Sequence, residues 1–338
     1  MLNKKLIVDA FPAFNEIRLA EFRISYLRET VDLVVIAEAR LTQSGLPKPL
    51  YFKDWIEAQG IEMKSRVIVI EVPLLDLETS WEREIFTREY LCDYLRREYP
   101  DSRFILSDLD EIPSIQQVKK LHDSHGIFHF HTPTFVRNVN WQLQDQHQDW
   151  ARGVMGETDL NIYPNGGRFV KDFPRIDSVP GAHFSWLQID KDSVTKKMQA
   201  AAHAELNESF WSSKSIIRYC DYHKIDHLGR SRARGFGVLK ISYPLPEGIL
   251  LEISKVFPDL VDSGAETPKL PLRIIASCKF SAFVGDNSIS RKVRSYFDPE
   301  YYFSHRSTLI YAVTLIEVFV STIAMIKRSI KRLGLLRH

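Results

Sequence analysis

Cysteine is scarce in this chain. Cys92, Cys220 and Cys278 are the only three in 338 residues, and they stand far apart. An odd number of widely spaced cysteines supports neither a disulfide framework nor a thiolate metal site. Free thiols at this frequency are typical of a reducing compartment, so we expect a cytoplasmic protein.

Neither positive nor negative charge is in large excess. The 45 basic and 43 acidic residues leave a formal net charge of +2. Proteins that hold nucleic acid through its phosphates concentrate positive charge on one face or domain. The composition shows no such surplus, and we expect no nucleic-acid partner.

The beginning of the chain shows no secretory signal pattern. Met1-Leu-Asn-Lys-Lys leads directly into the apolar run at residues 6–8, which is typical of a strand. A signal peptide would place a basic segment and a longer apolar segment before a cleavage site. We therefore expect neither a leader nor a membrane span ahead of the first strand.

Apolar runs alternate with amphipathic segments in the first 125 residues. Such runs predict buried parallel strands, and the segments between them predict helices. The expected strands are residues 6–10, 32–37, 67–72 and 104–106. The expected helices are residues 15–29 and 81–99, with Ser80 as the cap of the second. This order predicts an α/β fold with a mostly parallel central sheet and right-handed crossovers.

Beyond residue 125 the pattern changes to short strand-like pieces and polar loops. The pieces at residues 127–131 and 183–187 are examples, and helices are expected at about 192–206 and 208–223. We expect this α+β half to share one core with the first half. The main domain is then residues 1–250, followed by an extension at residues 251–305 to which the sequence assigns no role.

The last part of the chain, residues 306–338, predicts an amphipathic helix with a basic end. Residues 308–326 are apolar except for Glu317 and several hydroxyls, which fall on one side of a helix. A buried Glu317 would be costly at a bilayer centre, so a helix lying in the membrane interface is favoured over a span. We expect peripheral association with the inner face of a membrane. The alternative is a helix docked on the globular domain.

Three carboxylates stand within four residues in the stretch Arg103-Phe-Ile-Leu-Ser-Asp-Leu-Asp-Glu-Ile-Pro113. They directly follow a buried strand, and ligands of α/β folds bind beyond the carboxyl ends of strands. Clustered carboxylates repel one another unless a cation or proton lies between them. Oxygen ligands suit Mg²⁺ or Mn²⁺, which bridge protein carboxylates to substrate phosphates. The alternative is a helix cap with solvated acids.

Three blocks of sequence carry a resemblance to a known family. The first block contains Asn15-Glu16, Glu21, Arg23, Val31-Asp32, Glu38, Thr42, Gly45 and Pro47-Lys-Pro-Leu-Tyr-Phe52. The second is Trp81-Glu-Arg-Glu84 with Arg88, followed by Ser107-Asp-Leu-Asp-Glu-Ile-Pro113, and the third is Gly181-Ala-His-Phe-Ser-Trp186. The blocks cover roughly residues 7–225, and the second is the most specific. In these residues the chain resembles glycosyltransferase family 17.

The resemblance implies a GT-A (Rossmann-like) catalytic domain, a UDP-sugar donor, Mn²⁺ or Mg²⁺, and inversion at the anomeric carbon. The expected reaction moves N-acetylglucosamine or a related hexose to a hydroxyl of a glycan or glycolipid acceptor. We expect the chain to depart from the vertebrate members, because the sequence shows neither a cysteine-rich character nor the pattern of an N-terminal membrane anchor, and because it carries its own tail. Neither the sugar nor the acceptor is identified by the sequence.

The resemblance and the acidic stretch together name the expected metal ligands. Asp110 is the first, with Asp108 beside it on the metal or on the donor ribose. His183, in the third block, is a further candidate, since imidazole suits Mn²⁺ and since a late histidine often serves in GT-A enzymes. A structural role for His183 is the alternative.

Further residues are expected at the donor and the acceptor. Glu38, Lys48 and Arg88 are candidates for donor binding, although Arg88 also fits an i,i+4 pair with Glu84. Inversion needs a base for the acceptor proton, and Glu111 is the first candidate. Weaker alternatives for the base are Glu157 and Asp177, and the aromatic platforms considered for a sugar ring are Trp141, Trp150 and Trp186.

Three other classes compete with this interpretation. A haloacid-dehalogenase-type phosphatase would place Asp-Leu-Asp on its first strand with Thr or Val two residues further, whereas here it follows the fourth strand and Ile112 takes that position. A sugar nucleotidyltransferase would need a glycine-rich loop after the first strand, where residues 9–15 contain no glycine. A non-catalytic carbohydrate-binding protein remains an alternative, against which the intact carboxylates argue.

Overall fold

The structure is a computed structural model that describes residues 5–121, 126–143, 151–168, 170, 172–176, 178–187, 193–200, 221, 224, 226 and 239–264. The chain divides into two compact units, and the first comprises Met1–Asn207 with Lys240–Gly264. Of the second unit only residues 221, 224, 226 and 239 are described. The helices predicted at 208–223 and 306–338 therefore lie outside the described residues or almost entirely so, as do Trp150 and Asp177.

Eleven strands occur among the described residues. They are β1 Ile7–Pro12, β2 Leu33–Ala39, β3 Val67–Val72, β4 Arg103–Leu106, β5 Glu111–Ile112, β6 Phe128–His129, β7 Thr134–Val136, β8 Trp141–Leu143, β9 Arg152–Met155, β10 Ala182–Ser185 and β11 Leu239–Ile241. The first four lie within two residues of the predicted bounds.

Eight α-helices occur in the same part of the chain. They are α1 Ile17–Leu27, α2 Tyr51–Glu57, α3 Ile61–Arg66, α4 Ser80–Glu98, α5 Ile115–Leu121, α6 Gly156–Ile162, α7 Ser193–Ala200 and α8 Ile249–Val256. Within the described residues, no helix is long and apolar enough to cross a membrane.

The larger sheet has six strands in the order β3-β2-β1-β4-β9-β6. The pairs β3–β2, β2–β1 and β1–β4 are parallel, as predicted, while β9 pairs antiparallel with both β4 and β6. Strand β1 is buried on both faces, because Ile7 and Phe11 pack on the side of α1 and Val8 and Ala10 on the side of α4. The result is a mixed α/β fold with helices on both faces of this sheet.

The smaller sheet has five strands in the order β11-β8-β7-β10-β5. Strand β10 lies between β7, to which it is parallel, and β5, to which it is antiparallel. Strand β4 ends at Leu106 in the larger sheet, and β5 begins at Glu111 in the smaller one. The four residues 107–110, which we call the acidic loop, therefore connect the two sheets directly.

Helix α8 shows that the first unit extends beyond the predicted domain boundary. The sequence predicts a main domain that ends at residue 250, which falls inside this helix. Ile249, Leu250 and Ile253 are buried in the same core as the apolar face of α1, so burial of their side chains joins α8 to the first unit. The first unit thus continues to Gly264.

Candidate active site

A buried ion pair lies beneath the acidic loop. Arg23 is on the inner face of α1, and its Nε and Nη2 donate to the two carboxylate oxygens of Asp9, at 2.8 and 2.5 Å. Neither side chain is exposed. Asp9 occupies the middle of β1 on the face that packs against α1, where an unpaired carboxylate would be strongly destabilising. The pair therefore places a rigid, forked donor at the carboxyl end of β1.

The same guanidinium holds the backbone of the acidic loop. Arg23 Nη1 donates to the carbonyl oxygens of Asp108, Leu109 and Glu111 at 2.7, 3.1 and 3.3 Å. Its Nη2 also donates to Ser107 Oγ at 2.8 Å. Three carbonyls that converge on one cation fix the course of the loop and turn its carboxylates away from Arg23.

Asp108 is held by two arginines from different parts of the fold. Arg88 Nη2 on α4 donates to one carboxylate oxygen, and Arg168 Nη2 donates to the other at 2.6 Å. Burial would raise the pKa of Asp108, but the two guanidiniums outweigh it and hold that pKa well below its ordinary value. Asp108 is thus a carboxylate whose two oxygens already have cationic partners.

Arg88 makes both of the contacts that the sequence left open. It pairs with Glu84 one turn earlier in α4, at 3.2 Å, and it reaches Asp108 in the acidic loop. Burial opposes the charge on Arg88, yet these carboxylates raise its pKa further above the ordinary value. Arg88 consequently stays charged beside the loop.

Glu111 is enclosed rather than open. Arg168 donates to both of its carboxylate oxygens, Nη1 at 2.6 Å and Nη2 at 2.9 Å, and the backbone N–H of Asp108 donates to Oε2 at 3.0 Å. Only 1% of the side chain is exposed. A general base must reach the acceptor hydroxyl, so this geometry favours a bracing role for Glu111 over the catalytic one expected from sequence.

Asp110 faces a histidine and a lysine. Its Oδ1 is 3.6 Å from His183 Nε2, and its Oδ2 accepts from Lys197 Nζ at 2.7 Å. The contact with His183 follows from the sheet, because His183 is the direct partner of Glu111 across β10 and β5. Burial would raise the pKa of Asp110, but Lys197 and His183 lower it overall.

The donor set around Asp110 fits a divalent cation with two protein ligands. Two atoms that each lie about 2.1 Å from one ion are at most about 4.2 Å apart, which the 3.6 Å between Asp110 and His183 satisfies. Asp108, expected as a third ligand, instead has both oxygens on arginines. No group of three or more histidine, cysteine, aspartate or glutamate side chains suited to a metal occurs among the described residues. Mg²⁺-like ions often take only one or two carboxylates and complete their shell with water and phosphate.

Three residues at this site were missing from the sequence prediction as site residues. Arg168 follows α6, Lys197 lies on α7, and Glu16 precedes α1; none belongs to the acidic motif. Glu16 Oε1 is 3.2 Å from the ammonium of Lys197, which therefore lies between two carboxylates. Only Glu16 stood in a block that resembled the family, and an isolated Arg or Lys gives no pattern that would mark it.

Glu38 and Lys48 form a buried pair at the end of β2. The Glu38 carboxylate accepts from the backbone N–H groups of Phe52 and Lys53, at 3.0 Å each, in the first turn of α2. Lys48 Nζ lies 3.2 Å from the same carboxylate. Burial lowers the pKa of Lys48, and Glu38 offsets part of that change. Glu38 therefore caps α2, and donor binding by these two residues stays a prediction.

The tryptophans occupy different settings. Trp141 is buried and donates through Nε1 to Asp262 at 2.9 Å, which anchors the segment after α8 to β8. Trp186 follows β10, and the face of its ring is 5.8 Å from Lys197 Nζ. Glu157 lies within α6, but its side chain is outside the described residues. Of the three candidate tryptophans, Trp186 is the one that the described structure places beside Lys197, which pairs with Asp110.

Comparison with known proteins shows the family to which the chain belongs. A family model described as glycosyltransferase family 17 matches residues 2–225. The chain is 28% identical over 147 residues to the beta-1,4-mannosyl-glycoprotein 4-beta-N-acetylglucosaminyltransferases of Homo sapiens, Rattus norvegicus and Mus musculus. The matched part is 40% of this chain and 28%, 27% and 27% of those relatives, so the chain spans less than a third of their length. Because the family model covers about two thirds of the 338 residues, this protein belongs to glycosyltransferase family 17.

Proposed function

We propose that this protein is a metal-dependent, inverting glycosyltransferase with a GT-A fold and a UDP-sugar donor. The observation that carries the proposal is the pairing of Asp110 with His183 at the carboxyl end of β4. Family membership supports transfer of a sugar, and the names of the relatives support N-acetylglucosamine as the group to test first. A glycan or glycolipid hydroxyl is the proposed acceptor.

The charges at the site support a cation there. The ion pairs described above join five carboxylates to three cations. The carboxylates are Glu16, Glu84, Asp108, Asp110 and Glu111, and the cations are Arg88, Arg168 and Lys197. Within these ion pairs of the described residues, the carboxylates outnumber the cations by two, which equals the charge of one divalent ion. Carboxylates gathered in this number favour such an ion.

The chain's own residues supply positioning. Arg23 fixes the loop backbone, and Arg88 and Arg168 immobilise Asp108, so that Asp110 and His183 face one another across a fixed gap. A bound Mn²⁺ or Mg²⁺ would offset the charge that builds on the leaving diphosphate. The new bond forms between the acceptor oxygen and the anomeric carbon as the bond to the diphosphate breaks. The hydroxyl proton passes to a carboxylate base. Glu111 is almost fully buried and is therefore poorly placed to be that base.

A phosphatase of the haloacid-dehalogenase type is less compatible with this geometry. Its nucleophilic aspartate must present a free oxygen to the phosphorus atom. Asp108 instead has one oxygen on Arg88 and the other on Arg168. A non-catalytic carbohydrate-binding protein would need no cation between Asp110 and His183.

Metal binding and donor turnover test the proposal together. Purified protein is screened with Mn²⁺ and the sugar conjugates of UDP, GDP, CDP and dTDP by thermal shift, since a bound ligand raises the apparent stability. Release of the nucleoside diphosphate and Mn²⁺ binding by electron paramagnetic resonance are then measured. Asp110→Asn should lose both, whereas Asp101→Asn, on an exposed turn, should keep both. Wild-type Mn²⁺ affinity in the Asp110→Asn variant contradicts the proposal, and phosphate release from simple phosphomonoesters would favour the phosphatase.

A further inference from the structure

The ammonium of Lys197 joins the ends of two strands. It is 2.7 Å from Asp110 in the loop after β4 and 3.2 Å from Glu16 in the loop after β1. Its helix, α7, is held at its last residues by Ser44, whose N–H and Oγ donate to the carbonyls of Ala200 and Gln199 at 3.1 and 2.6 Å. Lys197 is therefore placed at the site by a contact made elsewhere on its helix.

Lys197 differs from the two arginines of the site in access to solvent. Its side chain is 29% exposed, against 8% for Arg88 and 11% for Arg168. The arginines are fixed by fork-like contacts to the acidic loop and to neighbouring carboxylates. A lysine ammonium has three donors on a flexible stem and can turn from one anion to another. Among the cations of this cluster, Lys197 is the one best able to meet an incoming ligand.

We propose that Lys197 binds the diphosphate of the donor, beside the cation that Asp110 and His183 would hold. The inference rests on the proposed function, since it assumes a nucleoside diphosphate donor. A divalent ion on Asp110 would satisfy the negative charge that Lys197 now neutralises. The diphosphate brings new negative charge to the same place, and the ammonium gains a stronger partner by turning toward it. Glu16 keeps the ammonium at the site when no donor is bound.

Trp186 limits where the ammonium can go. Its ring face lies 5.8 Å from Lys197 Nζ, within the range of a cation–π contact. The backbone of Trp186 has φ of 60°, a left-handed conformation that is uncommon for a large side chain. Such strain persists only where surrounding contacts impose it. The ammonium therefore has the ring of Trp186 as one neighbour and the carboxylates of Asp110 and Glu16 as others among the described residues.

The test compares ligands that differ only in their phosphates. Isothermal titration with Mn²⁺ present measures the affinity for UDP, UMP and uridine of wild-type protein, Lys197→Met, Lys197→Arg and Lys196→Met. Lys196 is the residue before Lys197 on α7 and is exposed, so its substitution is the matched control. Lys197→Met should weaken UDP binding about tenfold to a hundredfold and change uridine binding by less than twofold. Lys197→Arg keeps the positive charge and should restore part of the affinity for UDP. Lys196→Met should resemble the wild type.

Metal binding in the absence of nucleotide separates this role from a structural one. Because the ammonium competes for Asp110, Lys197→Met should bind Mn²⁺ at least as tightly as the wild type, whereas a damaged site would bind it less tightly. Equal losses of UDP and uridine, or no loss of UDP, overturn the inference for Lys197 alone. If no nucleoside diphosphate binds the wild type, the proposed function fails instead. If Lys197→Met does not fold, acetylation of wild-type Lys197 relative to Lys196, followed by mass spectrometry, should fall when UDP is added, and unchanged labelling overturns the inference.

Discussion

Arg23 and Asp9 face each other through two hydrogen bonds of 2.8 and 2.5 Å, and neither side chain is exposed. Removing one member leaves the other as a buried charge without its partner. Arg23→Met should therefore lower the free energy of unfolding by about 3–5 kcal/mol, measured by urea denaturation. Arg28→Met breaks an exposed pair with Glu62 and should cost at most about 1 kcal/mol. Equal effects of the two substitutions would show that the buried pair contributes no more than the exposed one.

The Glu111→Gln variant distinguishes a structural role of Glu111, in holding the acidic loop, from a role as the general base. If Glu111 braces the loop through Arg168, the variant loses about 3–5 kcal/mol of stability and much of its turnover, while the acid limb of the pH–rate profile stays in place. If Glu111 were the base, that limb would disappear with little change in stability. We expect the first outcome. Glu57→Gln, at the exposed end of α2, is the control and should alter neither quantity.

Gly181 permits the close approach of β10 and β5. A Cβ atom there would lie 2.2 Å from the carbonyl oxygen of Ile112 and 2.8 Å from Cα of Pro113. Gly181→Ala should push β10 away, lower the free energy of unfolding by more than about 2 kcal/mol, and weaken Mn²⁺ binding through the displaced His183. At Gly60 nothing lies within 4 Å of the added atom, so Gly60→Ala should cost at most about 1 kcal/mol, as a helix-cap preference. A fully stable Gly181→Ala variant would contradict this packing.

Cys92 should be chemically inert in the folded protein. It is buried on α4, and burial raises the pKa of its thiol to about 12. At pH 8 the thiolate fraction then falls roughly a thousandfold or more below that of a free cysteine. In a Cys220→Ser/Cys278→Ser variant, iodoacetamide should label Cys92 rapidly in urea and very slowly in native buffer. Rapid labelling of native protein would place Cys92 in an open environment.

Residues 306–338 lie outside the described part of the chain, so the membrane hypothesis rests on their sequence. We expect full-length protein to float with anionic vesicles at low salt, because basic residues follow the apolar stretch. Deletion of residues 306–338 should abolish flotation and leave donor hydrolysis intact, and vesicles of neutral lipid serve as the control. Full-length protein that ignores anionic vesicles would overturn the hypothesis.

The parts of the fold that could be predicted are those with a local cause. Strand β3 has the predicted bounds because residues 67–72 are almost wholly β-branched and apolar. Helix α4 begins one residue early, since Thr79 rather than Ser80 is the cap and forms a capping box with Glu82. Helices α2 and α3 were missed, and the start of α2 is capped by Glu38, which lies on β2, 14 residues before Phe52. Local periodicity does not reveal a contact that depends on how the strand and the helix pack.

The residues of the site also divide into those that the sequence could predict and those that it could not. The acidic loop and His183 were found because their residue types and positions point to ligand chemistry. The grouping of Lys197 and Arg168 with them depends on how α7 and the segment after α6 return to the sheet. The enclosure of Glu111 likewise follows from Arg168, which lies 57 residues further along the chain. Sequence alone therefore predicted Asp108, Asp110 and Glu111 but not Glu16, and it predicted only one of the cations described at the site, Arg88.

The direct passage from β4 to β5 through residues 107–110 constrains how this protein can vary. Successive residues of a strand point to opposite faces, so one inserted or deleted residue in this link would reverse the facing of β5. Glu111 would turn away from Arg168, and Ile112 would take its place on that face. Single substitutions here alter one contact at a time, whereas a change in length disrupts all of them at once. Libraries built to diversify this protein should therefore keep the length of the link, and also Asp108 and Asp110 within it.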